Sequence, residues 1–242
     1  MTDDLRTRTR QALPANVLAL MDEIEAFAGM HLSVEPPHRA PKWRLNPDAE
    51  AIDIWHGGVT LFLKDTENID PRGVLHELLH IHRYWIERTP MLVPIGNAKN
   101  QRQITSATEN TLEHLNIIPR EVDYGFDPYP YWNELSRELW SNYPWKTQTA
   151  PFARRMMALF GKLDLNNVTS ADIIDTAQQC LQQEGLADEA DKFDERIKSL
   201  INSKPRAVSC VFRFLNIPRE EAHMVTLDVL NKRSIPRAIP AH

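Results

Sequence analysis

Cysteine is scarce: Cys180 and Cys210 are the only two in 242 residues. So small a number fits free thiols in a reducing compartment rather than a disulfide scaffold, with a single bridge between them as the alternative. The two stand far apart, so neither reads as part of a thiolate metal cluster. No apolar run approaches the 18 or so residues that a membrane-spanning helix needs. The start, Met1-Thr-Asp-Asp-Leu-Arg, is charged, and no signal-peptide pattern is present. These features predict a soluble, cytoplasmic protein with no membrane partner. Neither sign of charge dominates, with 28 Lys and Arg against 33 Asp and Glu. The net charge of −5 and the lack of a long basic run give no support to a nucleic-acid partner. No Gly/Ser-rich stretch is long enough for a flexible tether. At 42% hydrophobic, the chain can bury one large core or two small ones.

What the sequence does contain is His76-Glu77-Leu78-Leu79-His80, the HExxH pattern. On a helix, residues i and i+4 sit about 40° apart, so two imidazoles converge on one ion. Glu77 lies roughly a quarter-turn to the side, where its carboxylate can reach a water without ligating the metal. With 9 histidines and 17 glutamates in 242 residues, random placement predicts about 0.02 such matches. The motif is a signal.

Its flanks agree with that reading. Asp70-Pro71 reads as an N-cap followed by proline at the first helical position, and nothing breaks the run from Val74 to Arg88 before Pro90. Val74, Leu78, Ile81 and Trp85 form one apolar stripe; Leu75, Leu79 and Ile86 form another. A helix apolar over most of its circumference is a buried one. The remaining strip gathers His76, His80, Tyr84 and Glu87, while His82 falls between Leu75 and Ile86 and reads as a hydrogen-bonded core residue.

Along the chain, Ala15–Gly29 reads as an amphipathic helix ending at glycine. Strand-like pieces follow at Lys42–Leu45, Ala51–Trp55 and Val59–Leu63, the last two joined by a hairpin signal at His56-Gly57-Gly58. An irregular stretch to about Asn100 leads into a helix over Gln103–Asn116 that stops before Pro119. Residues 123–131 read as loop. Helices are expected over Trp132–Asn142, Pro151–Leu163, Ser170–Glu184, Asp188–Asn202 and Pro218–Lys232, with Ala207–Leu215 open between strand and helix. The fold class is therefore α+β: a helix, a small antiparallel sheet, the HExxH helix and a further helix in residues 1–122, then a mainly helical region over 123–242 expected to pack on it.

Two histidines leave a catalytic zinc short of a third protein ligand. The 103–116 helix offers Glu109 and Glu113 at i and i+4, on the face opposite Ile104, Thr108 and Leu115. One would ligate and the other would accept a ring N–H from a metal-bound histidine. Glu109 is the expected ligand and Glu113 the orienting group, with the reverse as the alternative. Groups for the developing oxyanion would come from His114 or Tyr124, with Tyr129, Tyr131 and His223 as further candidates.

Over roughly residues 15–122 the pattern resembles the glutamate zincins, most closely the ImmA/IrrE-type metallopeptidases. His76, Glu77 and His80 match that family's motif. Asn110 and Ile117-Ile118-Pro119 fall into register with its later helix, which sets Ser106 at the family's ligand position and Glu109 one turn on. The resemblance implies a minimal zincin core, one Zn2+ per chain, and proteolysis of a regulatory protein. Residues 123–242 match no family pattern.

The residues themselves point to a zinc-dependent hydrolase acting on a peptide or protein, with Glu77 as general base. Two other readings compete. One is a zincin fold kept as a non-catalytic binding or sensing module. The other is a carboxylate-bridged di-iron protein using Glu77-x-x-His80 and Glu220-x-x-His223 with Glu109 and Glu113. Substrate identity and oligomeric state are not readable from the sequence.

Overall fold

A computed structural model describes residues 2–40, 49–96, 99–143 and 150–241. The chain is α+β, and among the described residues it forms nine α-helices and two three-stranded sheets. It divides into two compact units. One contains Met1–Pro90, Asp123–Phe126 and Val225–Pro236; the other contains Met91–Val122, Asp127–Met224 and Arg237–His242.

In the first unit, α1 (Thr2–Ala12) packs on β1 (Ser33–Glu35), and α2 (Ala15–Ala28) packs on α3 (Pro71–Trp85). Gly29 closes α2 in the left-handed conformation, φ 65°, a backbone state that glycine reaches without Cβ strain. The sheet runs β1-β3-β2, with β2 spanning Ala51–Trp55 and β3 Gly58–Phe62. The expected hairpin is present, antiparallel, with Ile52 opposite Leu61 and Trp55 opposite Gly58. The sheet as a whole is mixed rather than antiparallel, because β1 joins β3 in parallel, Val34 opposite Leu61. β1 and α1 are elements that the hydrophobic pattern did not announce, and the expected Lys42–Leu45 strand lies outside the described residues.

Glu25 ties these pieces together. Its carboxylate takes three N–H bonds from Arg6, meets His31 Nδ1 at 3.0 Å, and accepts the backbone N–H of Leu32 at 2.9 Å. Burial alone would push this carboxyl up; the Arg6 guanidinium, the Leu32 N–H and His31 outweigh it and hold it below the usual range. Asp228 accepts from Arg88 (2.9 Å), Asn231 and Arg233 (3.0 Å), fastening residues 228–233 to the segment that follows α3.

The second unit is built on α4 (Lys99–Asp123), α5 (Tyr129–Ser141), α6 (Pro151–Asp164), α7 (Ala171–Gln183), α8 (Ala187–Lys198) and α9 (Lys204–Phe214). Trp140, Phe160, Leu163, Phe193, Ile197, Val211 and Phe212 are among its core residues. The open segment Ala207–Leu215 is thus helical as far as Phe214. Two expectations are corrected. The 103–116 helix does not stop before Pro119 but continues as α4 to Asp123. A proline inside a helix costs about 3 kcal/mol, but Ile117 and Ile118 are fully buried, and each contributes about 1.5–3 kcal/mol that unwinding would forfeit. The helix expected at Pro218–Lys232 is instead a 3-10 turn, Arg219–Glu221, followed by β5 (Ala222–Asp228) and β6 (Arg233–Ala238). Burial along β5 alternates in part, with Ala222, Met224, Val225 and Leu227 inside, and Lys232 takes a positive φ in the turn. These strands complete the second sheet, β4-β5-β6, with β4 at Met91–Pro94.

Candidate metal centre

Helix α3 starts as its sequence dictates. Asp70 Oδ1 accepts the backbone N–H of Arg72 at 3.0 Å, and Pro71 fills the first helical position. Val74, Leu75, Leu78, Leu79 and Ile81 are each fully buried. At about 1.5–3 kcal/mol per aliphatic side chain, that burial supplies on the order of 10 kcal/mol as an upper bound. It outweighs the desolvation of the polar groups on the same helix, about 1–3 kcal/mol each. Glu77 and His80 are therefore held almost out of solvent, at 9% and 7% exposure, while His76 is half-buried.

The rings of His76 and His80 meet edge to face, with centroids 5.0 Å apart and planes at 76°. An imidazole bound to zinc through nitrogen at about 2.0–2.1 Å has its centroid about 3.2 Å from the ion, and two such vectors at a tetrahedral angle end about 5 Å apart. The two rings stand about as far apart as two imidazoles sharing one zinc ion would. Tyr84, one turn on, stacks with His80 at 6.0 Å. His82 is hydrogen-bonded as expected, its Nδ1 3.0 Å from Glu87 Oε1, but it is half-buried at the edge of the helix and not a core residue.

The other candidates divide sharply. On α4, Lys204 Nζ from the start of α9 lies 2.5 Å from Glu109 Oε1 and 2.7 Å from Glu113 Oε1. The second oxygen of Glu109 accepts the Leu92 N–H at 2.9 Å. All three side chains are at most 10% exposed. Both oxygens of Glu109 are thus occupied, and the i, i+4 carboxylates that the sequence offered to a metal are drawn together by an ammonium instead. Lys204 gave no local signal, since it lies 95 residues from Glu109.

His114, next along α4, packs its ring against Trp132 at 4.9 Å. Tyr124 lies in the turn after α4, where its carbonyl accepts from Asn16 Nδ2 at 2.9 Å. Tyr129 opens α5, and Tyr131 lies edge-on to Trp132 at 5.6 Å. Glu220 sits in a 3-10 turn and His223 on β5, so the second Glu-x-x-His of the di-iron reading is not on a helix, where i, i+3 would bring the two groups together. Among the described residues, no helix is long and apolar enough to cross a membrane. Comparison with protein-family models, with curated proteins and with solved structures finds no match.

Proposed function

We propose that this protein is a zinc-dependent peptidase of zincin type, with a metal centre built on His76 and His80 of α3 and Glu77 as the general base. The observation that carries the proposal is the His76–His80 pair, ring centroids 5.0 Å apart on a largely buried helix that also carries the nearly buried carboxylate of Glu77.

When bound, zinc polarises a carbonyl and lowers the pKa of water to about 7. The chain's own residues do the rest. His76 and His80 present ring nitrogens from one helix face. Glu77, beside them but off their axis, takes a proton from water onto its carboxylate and delivers it to the leaving amine. Its low exposure keeps bulk water from competing for that proton. The substrate class is a peptide or protein, and the resemblance to ImmA/IrrE-type enzymes makes a regulatory protein the first to examine.

The test is Glu77→Gln, which keeps size and hydrogen-bonding shape but removes basicity. The variant should fold and bind zinc as the wild type does while losing hydrolysis by about 10²–10⁴-fold. Comparing the cleaved peptides of cells that express each form works without a named substrate. Identical cleavage patterns would replace the enzyme with the binding-module reading.

A further inference from the structure

Glu50 stands immediately before β2, and its carboxyl group reaches the first turn of α3. The residue is 7% exposed, and its Oε1 is buried without a hydrogen-bond partner. Its carboxyl lies over Gly73: a Cβ at that position would fall 2.6 Å from the Glu50 carboxyl carbon and against Oε2. Gly73 does not have a positive φ, so its backbone conformation does not demand glycine. The space does. In a helix interior alanine is the better former, so glycine here forgoes helix stability for room. A buried polar atom left unsatisfied also calls for an explanation, and the two observations meet at one contact.

We propose that Glu50 is a positioning residue of the metal helix: its carboxyl, seated in the notch that Gly73 leaves, joins the start of β2 to the first turn of α3 and sets where His76 and His80 stand. Its consequence for metal binding rests on the zinc reading above; the seating itself does not. Residues three and four on from Gly73 are His76 and Glu77, the next turn of the same face. A displaced first turn is therefore passed along a rigid helix to the motif.

The charged neighbours are Lys64 and Asp70, themselves paired at 3.3 Å. Burial pushes the Glu50 carboxyl above the usual range and Asp70 adds to this, against the pull of Lys64 and of the backbone N–H groups of Glu50 and Lys64. The neutral carboxyl is the form that seats most readily, since it gives up less hydration. Raising the pH through its elevated value works the contact loose.

The experiment uses the full chain and four variants: Gly73→Ala, Glu50→Ala, the two combined, and Glu50→Gln. Two readouts are taken, amide protection at Val74 and Leu75 and affinity for added zinc. Gly73→Ala should lower protection and weaken zinc binding about tenfold, the low end for groups that orient ligands. The double variant, in which the carboxyl no longer collides with Cβ, should recover most of both losses. Glu50→Gln should keep wild-type protection and remove its decline with rising pH, which a merely space-filling role would leave unchanged. Wild-type behaviour of Gly73→Ala, or a double variant no better than Gly73→Ala, would overturn the proposal. If Gly73→Ala does not fold, recovery of folding in the double variant supports the proposal, and its failure refutes it. Coupled protection losses in a chain that binds no zinc would refute the zinc reading and leave the seating standing. Additive losses with normal zinc binding would do the reverse.

Discussion

Replacing Lys204 by methionine keeps most of the side-chain volume and removes its charge. Two carboxylates then remain side by side on α4, Glu113 with no exposure and Glu109 with 10%. Removing one partner of a buried ion pair costs about 3–5 kcal/mol, because the residual charge cannot reach water. That is a large share of a typical domain stability of about 5–15 kcal/mol. At about 2–4 °C per kcal/mol for a chain of this size, the melting temperature should fall by about 6–20 °C. Denaturant unfolding followed by tryptophan fluorescence would measure it, since Trp132 and Trp140 are buried in the same unit. A companion variant, Lys204→Met with Glu109→Gln and Glu113→Gln, removes every charge of the cluster and should recover most of the loss, because a neutral, well-packed replacement of buried ions is often no less stable. A loss below about 1 kcal/mol for Lys204→Met, the size of an exposed pair, would refute the reasoning. A triple variant as unstable as the single one would also refute it, by assigning the cost to packing instead of charge.

Two further predictions concern the first unit. His76→Ala and His80→Ala should each reduce bound zinc from one per chain to near zero in metal analysis while leaving the helical circular dichroism intact; retention of the metal would place the centre elsewhere. Glu25, whose carboxyl is held below the usual range, contributes stability that is present above the ordinary carboxylate value of 4.5 and is lost as pH falls through its depressed one. Glu25→Gln should therefore be less stable than wild type at pH 7 and converge with it at acid pH, as read by thermal unfolding across that range; equal melting temperatures at pH 7 would contradict this.

How far the fold is legible in the sequence depends on how local the determining interactions are. α3 is legible because cap, proline and apolar stripes all lie within 20 residues and agree. The β2–β3 hairpin is legible because a two-residue turn fixes its register. β1 and β4, at three and four residues, are too short to show a period, and each exists through pairing with a strand distant in sequence. The C-terminal hairpin reads as helix because Ala222–Asp228 has apolar residues compatible with either period, and neither glycine nor a standard turn pair marks the reversal at 229–232.

The site shows the same division between near and far. His76, Glu77 and His80 need only their own spacing, because one helix turn brings the three together. The spacing of Glu109 and Glu113 is just as regular, and it correctly places both side chains on one face of α4. Spacing shows that two carboxylates point the same way; it does not show which cation they point at. Here that cation is Lys204, brought in by a helix that begins some ninety residues later. A buried lysine and a zinc ion satisfy a pair of carboxylates by the same Coulombic attraction, so the i, i+4 pattern cannot discriminate between them. An imidazole pair carries no fixed negative charge for an ammonium to neutralise, so the proposed zinc centre rests on His76 and His80, whereas the convergence of Glu109 and Glu113 argues only for a positive charge.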